Sequence, residues 1–292
     1  MDIVVSIGHL PQPGETIGLG TLDHFPGGKG ANQAIAAARL GSETSILGAV
    51  GNDAHAITLI DYLQSSGVST GSISQKAECS TGQAFIWVSA AGENMIVVVP
   101  GANHAFGPDA LGDLPEGASV LLSQFEMPLE TIRAFFSAPA AKAGRKIINA
   151  APALAGGKPL FALADIVILN EVELSAFSDS GLPEISDHET LIAQARTLMS
   201  RPEQIIIVTI GAAGAIAVSG SEWFHVSGRE APVVDTTGAG DCFCGALAAA
   251  LDDGLELREA INFANLSASL AVGRKGAGPA MPTRAEVLER MT

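Results

Sequence analysis

The densest concentration of chemistry-bearing residues is Val233-Val234-Asp235-Thr236-Thr237-Gly238-Ala239-Gly240-Asp241. An apolar pair, expected to end a strand, runs into a glycine turn, and an alanine-rich helical stretch follows at once. Glycines let backbone approach a ligand closely, and the unpaired N–H groups of a helix start point at an anion. A carboxylate beside such a nest would repel a phosphate that is merely held. It makes chemical sense as a base that takes a proton from a hydroxyl while the nest steadies a transferring phosphoryl group. The competing reading of Asp241 is a first-turn acid favoured by the helix dipole. This segment alone leaves both open.

Three other segments carry weaker signals of the same kind. Gly27-Gly28-Lys29-Gly30-Ala31-Asn32 precedes a helical stretch, and Lys29 and Asn32 supply donors suited to hydroxyls or phosphate. Its spacing is not that of a P-loop, and an ordinary glycine turn with an exposed lysine would look the same. Asn170-Glu171-Val172-Glu173 follows an apolar run. Glu173 there can orient magnesium through water or simply favour a helix N-terminus. Thr209-Ile210-Gly211-Ala212-Ala213-Gly214 ends another apolar run and offers backbone to a nucleotide. Other matches fail. Gly67-Val68-Ser69-Thr70-Gly71 fits a hydrolase pattern but follows a helix, so Gly67 reads as a helix C-terminal glycine. Cys242 and Cys244 have no nearby His or Cys partner and read as core thiols. No dinucleotide fingerprint or His-Glu-x-x-His occurs, and the histidines are scattered singly. Asn265-Leu266-Ser267 matches a glycosylation sequon by pattern alone.

These segments need a scaffold, and the sequence alternates strand-like and helical stretches, the pattern of an α/β fold with a mainly parallel sheet. Val120–Ser123, Lys146–Asn149, Ile166–Leu169 and Ile205–Thr209 are short apolar runs with polar ends, as expected of buried parallel strands whose carboxyl edge meets ligand. Helical periodicity marks Ala31–Leu40, Ala54–Ser65, Leu129–Ser137 and His188–Met199, with a last block Ala239–Val272 interrupted near Asp253–Leu255. Asp2–Phe25 and Thr81–Val99, the latter with a turn at 90–94, break the alternation. They read as antiparallel strands able to form a small sheet beside the main body.

At 292 residues the chain reads as a single unit, 1–292, and its 47% apolar share supports one substantial core. Aromatics at 5% mean that small aliphatic side chains must fill it. The formal charge of −15 repels phosphate backbones and argues against a nucleic-acid partner. Three cysteines make no disulfide framework, no stretch is long and apolar enough to span a bilayer, and Met1 runs straight into Asp2 without a leader. A cytoplasmic protein with no membrane partner is the expectation.

Taken in order, the motifs resemble those of the ribokinase-like (pfkB) carbohydrate kinases, and within them the ribokinase branch. The matching residues are Pro13-Gly14-Glu15-Thr16, Gly27 to Asn32, Gly101-Ala102-Asn103, Glu126, Asn170 to Glu173, Thr209 to Gly214, Asp235 to Asp241 and Arg274-Lys275-Gly276. The resemblance implies a three-layer α/β/α domain, with a small β-sheet lid falling at about 2–25 and 81–99, and a homodimer formed through the lids. It implies that Asp2, Gly28, Lys29, Asn32 and Glu126 bind the sugar, with Asp241 as base and the N–H groups of Gly238, Ala239 and Gly240 as anion hole. ATP would lie on Asn170, Thr209, Ile210, Gly211, Ala212, Ala213, Gly214 and Gly240, with Asn265 near the adenine. Glu173 would complete a magnesium motif. Asp235, the Thr237 carbonyl and the loop with Ala271, Arg274, Gly276 and Ala280 would enclose a monovalent cation, typically potassium.

The lysine after the double glycine is the ribokinase form of the sugar motif. Three departures stand out. The chain begins where the family has completed a first strand, so only Met1-Asp2 remain of its Asn-x-Asp motif. Ala280 replaces a common serine, and Ala151 replaces a usual proline. The expected activity is ATP-dependent phosphorylation of a pentose, most simply ribose. The alternatives are a kinase for another sugar or a nucleoside, or a sugar-binding regulator without turnover.

Overall fold

The computed structural model describes residues 1–18, 20–112 and 114–291. Leu19, Asp113 and Thr292, which fall within the expected unit 1–292, lie outside these residues. In chain order the elements begin with strand β1 (Asp2–Ile7), β2 (Gly20–Phe25), helix α1 (Lys29–Arg39), β3 (Thr44–Gly51), α2 (Ala54–Ser65), β4 (Val68–Lys76), β5 (Gln83–Ser89) and β6 (Asn94–Val99). They continue with β7 (Val120–Gln124), α3 (Leu129–Ser137), β8 (Arg145–Asn149), β9 (Ile166–Asn170), α4 (Glu171–Ser178), α5 (His188–Leu198) and β10 (Ile205–Thr209). The chain closes with β11 (Gly214–Val218), β12 (Trp223–Ser227), α6 (Ala239–Asp252), α7 (Leu257–Ala271) and α8 (Arg284–Met291).

Among the described residues the main sheet has the order β12-β11-β10-β9-β8-β7. Strands β7 to β10 run parallel, and β11 and β12 return antiparallel at one edge. Its inner strands are apolar on both faces because both faces are covered. Ile147, Ile166, Ile168 and Ile207 point to a layer built from Ala37 of α1 and Leu40 just after it, Phe243 and Leu247 of α6, Ile261 of α7 and Val287 of α8. The alternate residues Ile148, Val167, Leu169 and Ile206 meet Ile132 and Phe136 of α3, Leu174 and Phe177 of α4, and Leu191 of α5. The result is the mainly parallel sheet expected from the alternation, in the three-layer α/β/α architecture that the resemblance implies.

The two irregular segments form a separate four-stranded sheet of order β2-β1-β5-β6. Each is an antiparallel hairpin, but the inner strands pair in parallel, Asp2 opposite Ala84 through Ile7 opposite Ser89. The root of this sheet is tied to the body at Asp53. That carboxylate caps α2 through the Ala56 N–H (2.9 Å) and also accepts from the N–H (2.7 Å) and hydroxyl (2.6 Å) of Thr81, just before β5. A third, two-stranded parallel sheet joins β3 and β4, which the sequence reading left unassigned.

One local expectation is overturned. Val233-Val234 does not end a strand: the segment is irregular, and the valines are 68% and 62% exposed. Among the described residues no strand pairs with it. The N–H groups of Val234 and Asp235 instead share the Val272 carbonyl at the end of α7 (2.8 and 3.1 Å).

Candidate active site

Strands β7 to β10 end in Gln124, Asn149, Asn170 and Thr209, so the carboxyl edge of the parallel sheet is a row of amides and a hydroxyl. Ligands of open α/β sheets gather at this edge. Two helix starts close over it. Helix α1 follows Gly28, whose φ of 100° lies outside the range of ordinary L-residues, and α6 follows Gly238 with φ 78°.

Asp241, in the first turn of α6, is 6% exposed. Its Oδ2 accepts from Asn32 Nδ2 at 2.9 Å and its Oδ1 from Gln33 Nε2 at 3.0 Å, both from the first turns of α1. Burial raises its proton affinity above that of an ordinary aspartate, against the opposing pull of Lys29 and the two amide donors. The helices can come this close because residue 245 is glycine. A Cβ there would overlap the Gln33 carbonyl oxygen and crowd the Ala36 side chain.

The other proposed sugar contacts converge on the same place. Lys29 donates its backbone N–H to Glu126 Oε2 at 2.9 Å, and Glu126 follows β7. Gly27 sits against the Asp2 carboxylate, and a Cβ there would overlap it. Burial raises the carboxyls of Glu126 and Asp2. Burial alone would lower Lys29, but the carboxylates of Asp241, Glu126 and Glu173 outweigh it and hold the ammonium charged. Asn32 is 4% exposed and its Oδ1 has no hydrogen-bond partner. A buried acceptor of this kind is costly unless a ligand donor completes it.

At the start of α6, Ala239 donates its N–H to the Thr236 carbonyl (3.2 Å). It is therefore engaged within the turn, whereas the N–H groups of Gly238 and Gly240 find no acceptor among the described residues. Of the three N–H groups read from sequence as an anion nest, those of Gly238 and Gly240 are unengaged and that of Ala239 braces the turn.

Asn170 and Glu173 form a capping box at α4: Asn170 Oδ1 accepts from the Glu173 N–H (2.8 Å), and Glu173 Oε2 from the Asn170 N–H (3.0 Å). Burial raises the Glu173 carboxyl. Past β10, Thr209 bonds the Leu169 carbonyl (3.4 Å), and Gly211, Ala212 and Ala213 make a single 3-10 turn closed by Ile210 N–H to Gly214 O (2.8 Å). β12 clasps this turn. His225 Nε2 lies 2.8 Å from the Ala213 carbonyl, and Gly228 donates to the same oxygen at 3.1 Å. Asn265, buried in α7, donates to the carbonyls of Val226 (3.1 Å) and Ser227 (3.3 Å), so its amide nitrogen fastens β12.

Asp235 accepts from the Thr237 N–H (2.9 Å) through Oδ1 and the Gly276 N–H (2.9 Å) through Oδ2. Burial opposes its ionisation, but the Thr237 hydroxyl and these N–H groups outweigh it and hold its proton affinity low. Arg274 faces away, paired with Glu286 of α8 at 2.5 Å. Ala271 and Ala280 are buried and offer only backbone. Arg39, which the sequence reading passed over, fastens the same loop: its Nη1 donates to the carbonyls of Gly278 (3.3 Å) and Met281 (2.9 Å), and its Nη2 to the Tyr62 hydroxyl (3.1 Å).

Gln33, Asn149 and Gln124 were also missed. Gln124 Oε1 accepts the Glu126 N–H at 2.8 Å, which places that carboxylate. The available signal was positional: a polar residue closing an apolar strand, or one following Asn32 on the same helix turn.

The pfkB family of carbohydrate kinases matches residues 3–284. The ribokinase of Bacillus subtilis is 37% identical, with 100% of this chain and 96% of that protein covered. The crystal structure of a ribokinase from Thermotoga maritima superposes with a TM-score of 0.89 at 32% identity, covering 99% of this chain and 95% of that one. The Arabidopsis thaliana ribokinase complexed with ribose and ATP gives a TM-score of 0.84 at 31% identity, covering 99% and 94%. Sheet order, the two glycine-initiated helices and these matches agree, and the chain belongs to the pfkB family of carbohydrate kinases.

Proposed function

We propose that the protein transfers the γ-phosphoryl group of ATP to the primary hydroxyl of ribose, giving ribose 5-phosphate and ADP. The observation that carries this reading is the buried Asp241 carboxylate, held on both oxygens by α1 amides at the unpaired N–H groups of the α6 start. The sugar hydroxyl oxygen attacks the γ-phosphorus as its proton passes to Asp241, and the bond to the β-phosphate oxygen breaks with its electron pair leaving on ADP. Little covalent chemistry is asked of the chain, so positioning and charge neutralisation supply most of the rate.

Asp2, Gly28, Lys29, Asn32 and Glu126 hold the sugar, with the orphaned Asn32 Oδ1 accepting a sugar hydroxyl. The Gly238 and Gly240 N–H groups face the transferring group, and Asn170 and the Thr209–Gly214 turn carry the nucleotide. Among the described residues no cluster of three or more acids, histidines or cysteines could hold a metal alone. Magnesium suits that arrangement, because it keeps much of its water shell and takes phosphate oxygens. Glu173 Oε1 is the oxygen left to orient it, and the ion when bound would neutralise phosphate charge. An ionised Asp235 with the neighbouring carbonyls fits potassium, with no hydroxyl from Ala280.

The chain works as one unit, with the four-stranded sheet as lid. β6 exposes Met95, Ile96, Val97, Val98 and Val99 at 40–58%, an apolar edge strand that a second copy of the lid would cover. Three unpaired cysteines, and no described helix long and apolar enough to cross a membrane, suit the cytoplasm. An ADP-release assay across ribose, 2-deoxyribose, fructose and adenosine tests the reading. Ribose should give the greatest turnover. A preference for adenosine would make this a nucleoside kinase, and sugar binding without turnover would make it a regulator.

A further inference from the structure

Asp241 has two amide partners, and they are not equivalent. Asn32 binds Oδ2, but its own carbonyl oxygen has no partner, so nothing on the protein fixes the far side of that amide until a ligand donor meets it. Gln33 is 2% exposed, and both hydrogens of its Nε2 are committed, one to Asp241 Oδ1 at 3.0 Å and one to Asn149 Oδ1 at 3.1 Å. Asn149, at the carboxyl end of β8, is oriented in turn, since its Nδ2 donates to the Ile168 carbonyl of β9 at 3.3 Å. Turning the Gln33 amide over would set its carbonyl oxygen against two other oxygens. Gln33 thus donates in both directions, to Asp241 and to Asn149, and Asn149 donates on to the sheet carbonyl, so the orientation of each amide is fixed by the next. Packing alone would be better served by an apolar side chain here, because a buried amide must find partners to break even.

We infer that Gln33, backed by Asn149, is a positioning residue that fixes the Asp241 carboxylate against the sheet and keeps it ionised for proton abstraction. The inference rests on the reading of Asp241 as the base. Hydrogen bonds donated to the charged form lower a carboxyl's proton affinity, and here they oppose its burial. The other groups facing Asp241 are Lys29 on α1, Asp2 on β1, Glu126 beyond β7 and Glu173 on α4, together with the buried thiols of Cys242 and Cys244 on its own helix. Of these only Lys29 favours the ionised form, and the Asn32 and Gln33 amides add to its pull.

The test compares wild type with Gln33→Leu, Gln33→Glu, Asn149→Leu and the Gln33→Leu/Asn149→Leu pair. It reads kcat, KM for ribose and ATP, and the pH dependence of kcat. Loss of a hydrogen bond to a charged group should cut kcat in Gln33→Leu by roughly 10- to 100-fold with both KM values little changed. Its acid limb should move to higher pH. Asn149→Leu should show a smaller change in the same direction, and the double variant should be no worse than Gln33→Leu, since the two act in series. Gln33→Glu keeps the shape but sets a second carboxylate beside Asp241. Its acid limb should move furthest, which a packing role would not produce.

Unchanged kcat in Gln33→Leu, an unmoved limb in Gln33→Glu, or additive losses in the double variant would overturn the inference. A second readout needs no turnover: the carbon-13 titration of the Asp241 carboxyl in intact protein should shift upward in Gln33→Leu. If wild type phosphorylates nothing in the panel but this midpoint moves, the proposed function fails while the positioning contact stands. An unmoved midpoint overturns the contact whatever the activity.

Discussion

At the residue scale the main tension lies in Asp241, which on the proposed reading acts as a charged base and is buried where charge is costly. Asp241→Asn keeps the size and removes the basicity, so turnover should fall by roughly 10²–10⁴-fold. Calorimetric binding of ribose and ATP should persist. The same substitution should stabilise the fold. Burial raises the folded proton affinity of Asp241 above its unfolded value. The folded chain therefore holds the extra proton across that interval, and stability falls as pH rises through it. Above the interval the ionised carboxylate is a net cost that asparagine escapes. The Asn32 amide can turn its unpartnered oxygen toward the new donor. Asp241→Asn should accordingly melt higher than wild type at neutral pH, with the gap closing below the ordinary carboxylate range. A lower melting temperature at neutral pH would mean that its hydrogen bonds outweigh its desolvation.

At the scale of elements, the contact between α1 and α6 sets the site. Gly245→Ala would drive a methyl group into the Gln33 backbone and force the helices apart. It should lower stability by about 1–3 kcal/mol, as overpacking does, and reduce turnover along with it. Urea unfolding and kcat together check this. Asp53→Ala removes the α2 cap and the tie to Thr81, with an expected cost of about 1–2 kcal/mol and a raised KM for ribose as the small sheet loosens. A denaturation midpoint and a ribose titration read these two effects.

The strands that carry the site were legible because buried parallel strands are apolar throughout. Ile205–Thr209 was bounded to the residue, and the break in the helical block matches the end of α6 at Asp252 and the start of α7 at Leu257. Val68–Lys76 was missed because it is rich in Ser and has no clean alternation. Val233-Val234 misled because strand propensity means little without a neighbour to pair with. The parallel pairing of β1 with β5 joins segments remote in sequence, and no local pattern encodes it. Lys29, Asn32 and Asp241 stood out beside glycines, Glu126 entered only through the family resemblance, and the fold gathers all four. Gln33 and Asn149 carry no such flag. Amides are common, and only their mutual geometry distinguishes them.

At the scale of the whole molecule, the apolar edge of β6 predicts association. The protein should sediment as a dimer, and Ile96→Lys should shift it toward monomer, because a charge there would be buried in the pair. A monomeric wild type would leave β6 with another role. The site has a further consequence in the order in which the chain is made. The Lys29–Glu126 bond spans 97 positions and the Asn32–Asp241 bond spans 209. If these residues hold the sugar as proposed, a nascent chain has no sugar pocket until α6 has left the ribosome, and most of the polypeptide must wait without ligand to stabilise it. Once complete, the fold gains stability from ribose by mass action, since no fragment competes for it. Addition of ribose should then protect newly finished chains from proteolysis while leaving a product truncated before residue 239 as vulnerable as before.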